Sequence, residues 1–121
     1  VVSKNLLNIG ERTARYANVK RAKISAVAFT SGGEVIATAH NRRVYGHPTK
    51  WTEHAEEVLV QKLERLKAFQ RFGKITILVL RVCATGLTIA KPCHGCQKLL
   101  GRYNVSVMYS SRNGDIIKLG G

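Results

Sequence analysis

Two short stretches far apart in the chain have to meet, and that requirement limits the fold more than any other feature of the sequence. One is Pro92-Cys93-His94-Gly95-Cys96, in which two thiols three residues apart stand behind a proline at what reads as a helix start. The other is His54-Ala55-Glu56, which offers an imidazole and, two residues on, a carboxylate placed to handle protons without binding a metal. His54, Cys93 and Cys96 together make an imidazole and thiolate donor set of the kind zinc favours, and a catalytic zinc site keeps three protein ligands with water in the fourth position. Exposed N–H groups at two helix starts would favour the thiolate forms of the cysteines and the anionic form of Glu56. The residues alone leave two other outcomes open: a closed site with a fourth ligand from Cys83, His94 or His47, and a redox pair. Glu56 argues for the open site, because a purely structural site has no need of it.

The apolar pattern says how the chain brings these stretches together. Leu6, Leu7, Ala14 and Ala17 recur at near-helical spacing within 3–17, with Lys4, Glu11, Arg12 and Arg15 on the other side, predicting an amphipathic helix. Over 23–30, Ile24, Ala26 and Ala28 alternate with Ser25, Val27 and Phe29, which predicts a strand buried on both faces. Ser31-Gly32-Gly33 then turns it into a returning strand over 34–40. Residues 41–52 have no period and read as an ordered loop. Thr52 is the expected cap of a helix over 53–69, striped by Ala55, Val58, Leu59, Leu63 and Leu66. After Gly73, residues 74–82 read as a central strand, and 83–91 connect it to Pro92, expected at the first position of a helix that Leu99, Leu100 and Tyr103 continue. A strand over 105–109, the hairpin signal Ser111-Arg112-Asn113-Gly114 and a last strand over 115–119 complete an α-β-β-α-β-α-β-β order, an α/β arrangement around one sheet.

At 121 residues and 45% apolar content, the chain is expected to form a single domain, 1–121, with one core. Its longest apolar run, Ile77 to Leu80 with Ile75 just before it, falls far short of the ~20 residues that span a bilayer, so no membrane partner is expected. Residues 1–15 lack the continuous apolar core of a secretory signal, and a first residue of valine reads as a trimmed or processed N-terminus. Three cysteines, an odd count, argue for a reducing, cytoplasmic setting over a disulfide scaffold. Twenty Lys and Arg against seven Asp and Glu give a formal charge of +13, for which polyanions such as nucleic acid or a phosphorylated substrate are the natural partners; a merely cationic soluble protein is the plain alternative.

The His-x-Glu and Pro-Cys-x-x-Cys stretches together resemble the signature of zinc-dependent nucleobase deaminases. The chain resembles the cytidine deaminase superfamily over nearly its whole length, in the order of its elements as well as in these motifs. The resemblance implies a three-layer α-β-α sandwich on a five-stranded mixed sheet with an antiparallel C-terminal hairpin. It implies that His54, Cys93 and Cys96 hold one zinc ion, lowering the pKa of a bound water toward ~7 for attack on the ring carbon that carries the amine. Glu56 would be the proton shuttle, taking the proton from water, passing it to the ring nitrogen and helping ammonia leave. Ala55, between ligand and shuttle, would line the substrate base. Asn41, in Ala39-His40-Asn41-Arg42, stands where the family has an asparagine that contacts the substrate sugar, although asparagine also favours turns. Free-nucleoside cytidine deaminases place a ribose-binding glutamate two residues after that asparagine; here the position is Arg43, which suits a phosphate. His94 lies at a position the family leaves free and reads as surface, and Cys83, ending an apolar strand, reads as a buried small hydrophobe.

For the substrate, the predicted terminal hairpin and the chain length resemble the compact branch of the family, whereas Arg43 and the charge point to a polymer. Trp51 and Tyr109 are the candidates for base stacking, with ordinary packing as the alternative. Arg42, Arg43, Lys50, Lys91 and Arg112 fall on loops predicted to ring one opening and are the phosphate candidates, though any one of them can be solvated surface. The leading expectation is hydrolytic deamination of cytosine in a single-stranded or flipped-out polynucleotide. Its rivals are a free cytidine, deoxycytidine or dCMP deaminase of pyrimidine salvage and an inactive zinc-stabilised nucleic-acid-binding module, with adenine a lesser alternative target. Compact family members often form homo-oligomers, which an exposed edge at the final hairpin permits without demanding.

Overall fold

The computed structural model describes residues 2–18, 23–43 and 52–119. Its first element is helix α1 (Lys4–Arg15), started by Ser3, whose hydroxyl accepts a hydrogen bond from the Leu6 N–H at 3.2 Å. Strands β1 (Lys23–Thr30) and β2 (Val35–His40) form the expected antiparallel hairpin, with Gly33 at φ +86° in its turn. The segment read as a loop holds more order than its sequence suggests. Arg42–Arg43 (β3) and Thr52–Glu53 (β4) pair antiparallel as a short ribbon beside the main sheet, with Arg42 opposite Glu53 and Arg43 opposite Thr52.

Helix α2 (Ala55–Arg65) starts two residues later than expected, with His54 and not Thr52 at its cap. Nor does it run on to Phe69. Leu66 closes it, Lys67 adopts a left-handed conformation at φ 54°, and a separate turn, α3 (Ala68–Arg71), follows. No glycine marks that break in the sequence, and a lysine at positive φ is a costly conformation. Strand β5 (Ile75–Cys83) then runs up the middle of the sheet, and β6 (Gly86–Thr88), absent from the sequence pattern, folds back on its end. Helix α4 (His94–Leu100) has Cys93 at its cap, so Pro92 precedes the helix instead of opening it; the helix also stops before Tyr103. Strands β7 (Val105–Ser110) and β8 (Ile116–Lys118) pair antiparallel across a turn in which Gly114 has φ +86°.

The main sheet runs β2-β1-β5-β7-β8, with β6 beside the end of β5. It is mixed, since β5 pairs antiparallel with β1 and parallel with β7. The five expected strands are therefore present, in an α/β fold, with β6 added. Alternation along β1 and β5 sorts the core into two layers. Ala26, Ala28, Ile77 and Val79 meet Leu59, Leu63 and Leu100 of α2 and α4, while Val27, Phe29, Leu78 and Leu80 meet Leu6 of α1 on the opposite face.

The α1 face is packed closely enough to need a glycine. A Cβ on Gly10 would stand 2.4 Å from Leu80 Cδ1 and 3.5 Å from Ser25 Oγ. Ser25 is fully buried there, and its hydroxyl is the one buried side-chain polar atom without a hydrogen-bond partner among the described residues. An unpaired buried hydroxyl costs about 1–3 kcal/mol. Replacing Ser25 by alanine is therefore expected to raise unfolding free energy by about 1 kcal/mol, read as a higher urea midpoint at unchanged slope. A lower midpoint would show that Ser25 has a partner.

Candidate active site

Parallel β5 and β7 deliver the starts of α2 and α4 to the same end of the sheet, and the two stretches that had to meet do so there. At the α2 start, the Glu57 carboxylate accepts a hydrogen bond from the His54 N–H at 3.1 Å, so the first turn is locked by its own third residue. Just upstream, Glu53 is held from two sides: Arg42 Nε donates to Oε1 at 2.7 Å, and Gln61 Nε2 on α2 donates to Oε2 at 3.3 Å. This links the β3–β4 ribbon to the helix on either side of His54. At the α4 start, Gln97 Nε2 donates to the Pro92 carbonyl at 2.8 Å, closing the turn that carries Cys93.

A third anchor is Ser110, fully buried at the end of β7. Its hydroxyl donates to the Thr88 carbonyl at 2.6 Å and accepts from the Arg81 N–H at 3.2 Å, while its own carbonyl accepts from the Ala90 N–H at 2.8 Å. Ser110 thus fixes the segment leading into Pro92. Neither Ser110, Glu53, Glu57 nor Gln97 was singled out from the sequence. Only Glu57 carried a readable signal, as an acidic residue three positions after a helix cap, and the misplaced cap at Thr52 hid it.

His54, Cys93 and Cys96 place their ligand atoms within 4.8 Å of one another. His54 Nδ1 lies 3.2 Å from Cys96 Sγ and 3.5 Å from Cys93 Sγ. Tetrahedral bonds of ~2.1 Å to nitrogen and ~2.3 Å to sulfur set such atoms ~3.6 Å apart, so the residues fit zinc in geometry as well as donor chemistry. His54 and Cys93 are exposed and Cys96 is buried, leaving the cluster open on one side. A cleft of about 330 Å³ borders it, lined by His54, Glu57, Cys93, Gly95, Cys96 and Leu99. Neither Cys83 nor His94 joins the cluster, and His47 lies outside the described residues.

Glu56 is 4% exposed. Burial pushes its carboxyl above the ordinary value, an effect only partly offset by a backbone hydrogen bond, the His54 ring and the Cys96 thiol. Burial also pushes the Cys96 thiol up, and the charge of Glu56 adds to it. A divalent cation on the three donors reverses that preference, because a coordinating thiol is deprotonated outright. Cys83 is exposed, contrary to its reading as a buried hydrophobe. It is the last residue of β5, beyond the covered part of the sheet, and its thiol lies 3.3 Å from the Thr85 hydroxyl, whose hydrogen bond lowers its pKa.

The remaining candidates fall into distinct settings. Ala55 is fully buried beside Glu56. Asn41 is buried, and its Oδ1 accepts from the Ile24 N–H at 2.9 Å, tying the end of β2 to the start of β1. Tyr109 is half-buried near the end of β7 and packs against the α2–α4 side of the core. Arg42 is engaged by Glu53; Arg43 is exposed, with its backbone N–H on Asn18 Oδ1 at 2.9 Å. Lys91 is exposed immediately before Pro92, and Arg112 is exposed in the β7–β8 turn. Trp51 and Lys50 lie outside the described residues. No helix among the described residues is long and apolar enough to cross a membrane.

The family model of the cytidine and deoxycytidylate deaminase zinc-binding region matches residues 2–111. Comparison with curated protein sequences found no match. Among solved structures, the chain is similar to cytidine deaminase from Burkholderia pseudomallei, with a TM-score of 0.65, 16% identity, and 98% of this chain and 91% of that one covered. It is also similar to dCMP deaminase from the cyanophage S-TIM5 in complex with dCMP and dUMP, at TM-score 0.65 and 18% identity over 89% of this chain and 79% of that one. Cytidine deaminase from Mycobacterium leprae gives 0.62 and 17% identity over 94% and 90%. At these identities the likeness is one of fold.

Proposed function

Because the chain belongs to the family defined by the cytidine and deoxycytidylate deaminase zinc-binding region, we propose that it hydrolyses the C4 amine of cytosine, and that its cytosine is carried in a polynucleotide. Bound at His54, Cys93 and Cys96, zinc supplies the Lewis acidity that makes water a nucleophile near neutral pH. Glu56 is the proton carrier: its carboxylate would accept one proton from the attacking water and pass it to the ring nitrogen, then accept the second proton from the same oxygen and pass it to the departing amine, which leaves as ammonia. The burial that raises its pKa suits a group that must both take and give a proton. The sulfur and nitrogen donors fix where the reaction takes place; Glu56 makes the cluster more than a structural clip.

The observation that carries the polymer reading is charge. A free nucleoside is neutral and gains nothing from a +13 protein, whereas a phosphate backbone does. Arg43, where a ribose-binding carboxylate would stand in a free-nucleoside enzyme, supports the same reading. The free nucleotide is the second reading, supported by the likeness to a dCMP deaminase. Incubating zinc-loaded protein with cytidine, dCMP, single-stranded DNA and RNA, and following conversion of cytosine to uracil, separates the two. Conversion of the monomers alone would overturn the polymer reading.

The rim makes a further prediction. Arg42 is paired with Glu53 whereas Arg43 is not ion-paired among the described residues. Arg43→Gln should therefore make the salt dependence of oligonucleotide binding shallower by about 0.7 in log–log slope, and Arg42→Gln by less. Equal slopes for Arg43→Gln and wild type would remove Arg43 from the phosphate contacts.

A further inference from the structure

The rim candidates Arg42, Arg43, Lys50, Lys91 and Arg112 account for only part of the twenty Lys and Arg residues, and Arg42 is already paired with Glu53. At the far end of α2 the ten residues Arg65–Lys74 contain four cations, Arg65, Lys67, Arg71 and Lys74, and no acid. All four are exposed. Arg102 is a fifth: it is exposed and adjoins Tyr103, whose ring stacks on Phe69 of α3 with centroids 4.2 Å apart. The neighbouring carboxylate, Glu64, is engaged by the Tyr103 hydroxyl, which donates to Oε1 at 2.6 Å. None of the five cations is ion-paired among the described residues.

We propose that Arg65, Lys67, Arg71, Lys74 and Arg102 form a second, non-catalytic binding surface for the phosphate backbone of a polynucleotide whose cytosine enters the zinc site. The proposal rests on the polynucleotide reading for the identity of the polyanion. The chemistry of the patch favours a backbone over a protein partner. Phe69 and Phe72 are half-buried, Arg71 lies over the Phe72 ring at 5.5 Å, and Leu66 is the large apolar side chain left exposed there, so the patch lacks the apolar centre of a protein interface. Cations without such a centre suit sequence-independent phosphate contact. Spacing also fits. The eleven residues of α2 separate the patch from the zinc ligands by ~16 Å at 1.5 Å per residue, a distance that a few consecutive nucleotides of one strand can bridge. A strand held at both places has one point of chemistry and one of purchase.

The test replaces Arg65, Arg71, Lys74 and Arg102 by glutamine and leaves Lys67, whose backbone is strained, in place. Binding of a long labelled single-stranded oligonucleotide is measured against salt, alongside turnover of free cytidine, a cytosine trinucleotide and the long oligonucleotide. The expected result is a log–log salt slope shallower by about 3, at ~0.7 per cation, and a KM on the long oligonucleotide raised at least tenfold, with turnover of the short substrates unchanged. An unchanged slope with unchanged KM would overturn the proposal. If no polymer is deaminated but the slope falls as expected, the binding surface stands and the polymer-substrate reading fails; if polymers are deaminated with an unchanged slope, the reverse holds.

Discussion

Glu56→Gln is expected to lower cytosine deamination by roughly 10²–10⁴-fold, the usual worth of a positioned proton carrier, while zinc content stays at the wild-type level. The amide keeps the shape of the side chain and cannot cycle a proton. Zinc content is the control that distinguishes this from damage to the ligands, since Glu56 sits two residues from His54 and beside Cys96. If the variant retained full activity with zinc bound, the role assigned to Glu56 would be wrong. The same substitution has a stability signature in metal-free protein. A carboxyl whose pKa is raised by folding is bound more tightly to its proton in the native state, so stability falls as pH rises from the ordinary carboxylate range through the raised value. Metal-free Glu56→Gln should therefore be more stable than wild type at neutral pH, with the advantage vanishing on acidification below that range. Denaturant midpoints at the two pH values read this directly.

Cys96→Ser is expected to abolish stoichiometric zinc binding and with it the stabilisation that zinc confers. A ligand present at 1,000 times its dissociation constant adds about 4 kcal/mol to the native state; the wild type should gain this on zinc addition and the variant should not. Cys83→Ser supplies the contrast, because Cys83 is exposed and outside the cluster. Thiol labelling gives a second readout: native zinc-loaded protein should expose one reactive thiol, Cys83, and denatured protein all three. Zinc bound by Cys96→Ser as tightly as by wild type would show that Cys96 is not a ligand.

How much of this was legible depended on whether the cause was local. The span of β1 was read to the residue because alternation on two faces is written into neighbouring side chains. The terminal hairpin was likewise announced by Asn113-Gly114, and the ligand set by residue types that zinc chemistry demands. The errors lay where a distant partner decides. Thr52 looked like the better cap on propensity, but pairing with Arg43 draws it into β4 and passes the cap to His54, whose N–H Glu57 then secures. β6 exists because β5 outruns β7 and leaves an edge for Gly86–Thr88 to pair with, which no pattern within 83–91 encodes. The break at Lys67 has the same character: five of the residues around it are good helix formers, and tertiary packing of Ala68 and Phe69 overrides them. Asn41 reads from the resemblance as a sugar contact, or else as a turn residue; its bond to Ile24 depends on β1 and β2 lying side by side, which no local pattern encodes.

The placement of the three donors has a consequence for how the chain folds. His54 is separated from Cys93 by 39 residues and from Cys96 by 42, with the whole of β5 threaded between. Bringing the ends of such a loop together costs about 3 kcal/mol in its length-dependent part alone, and the sheet meets that cost by docking β5 between β1 and β7. A metal ion bound to the three donors would close a loop that the strands also shape, and act as a clasp across it. Zinc uptake should follow formation of the sheet in time, and its loss should free the α2 and α4 starts before the strands come apart.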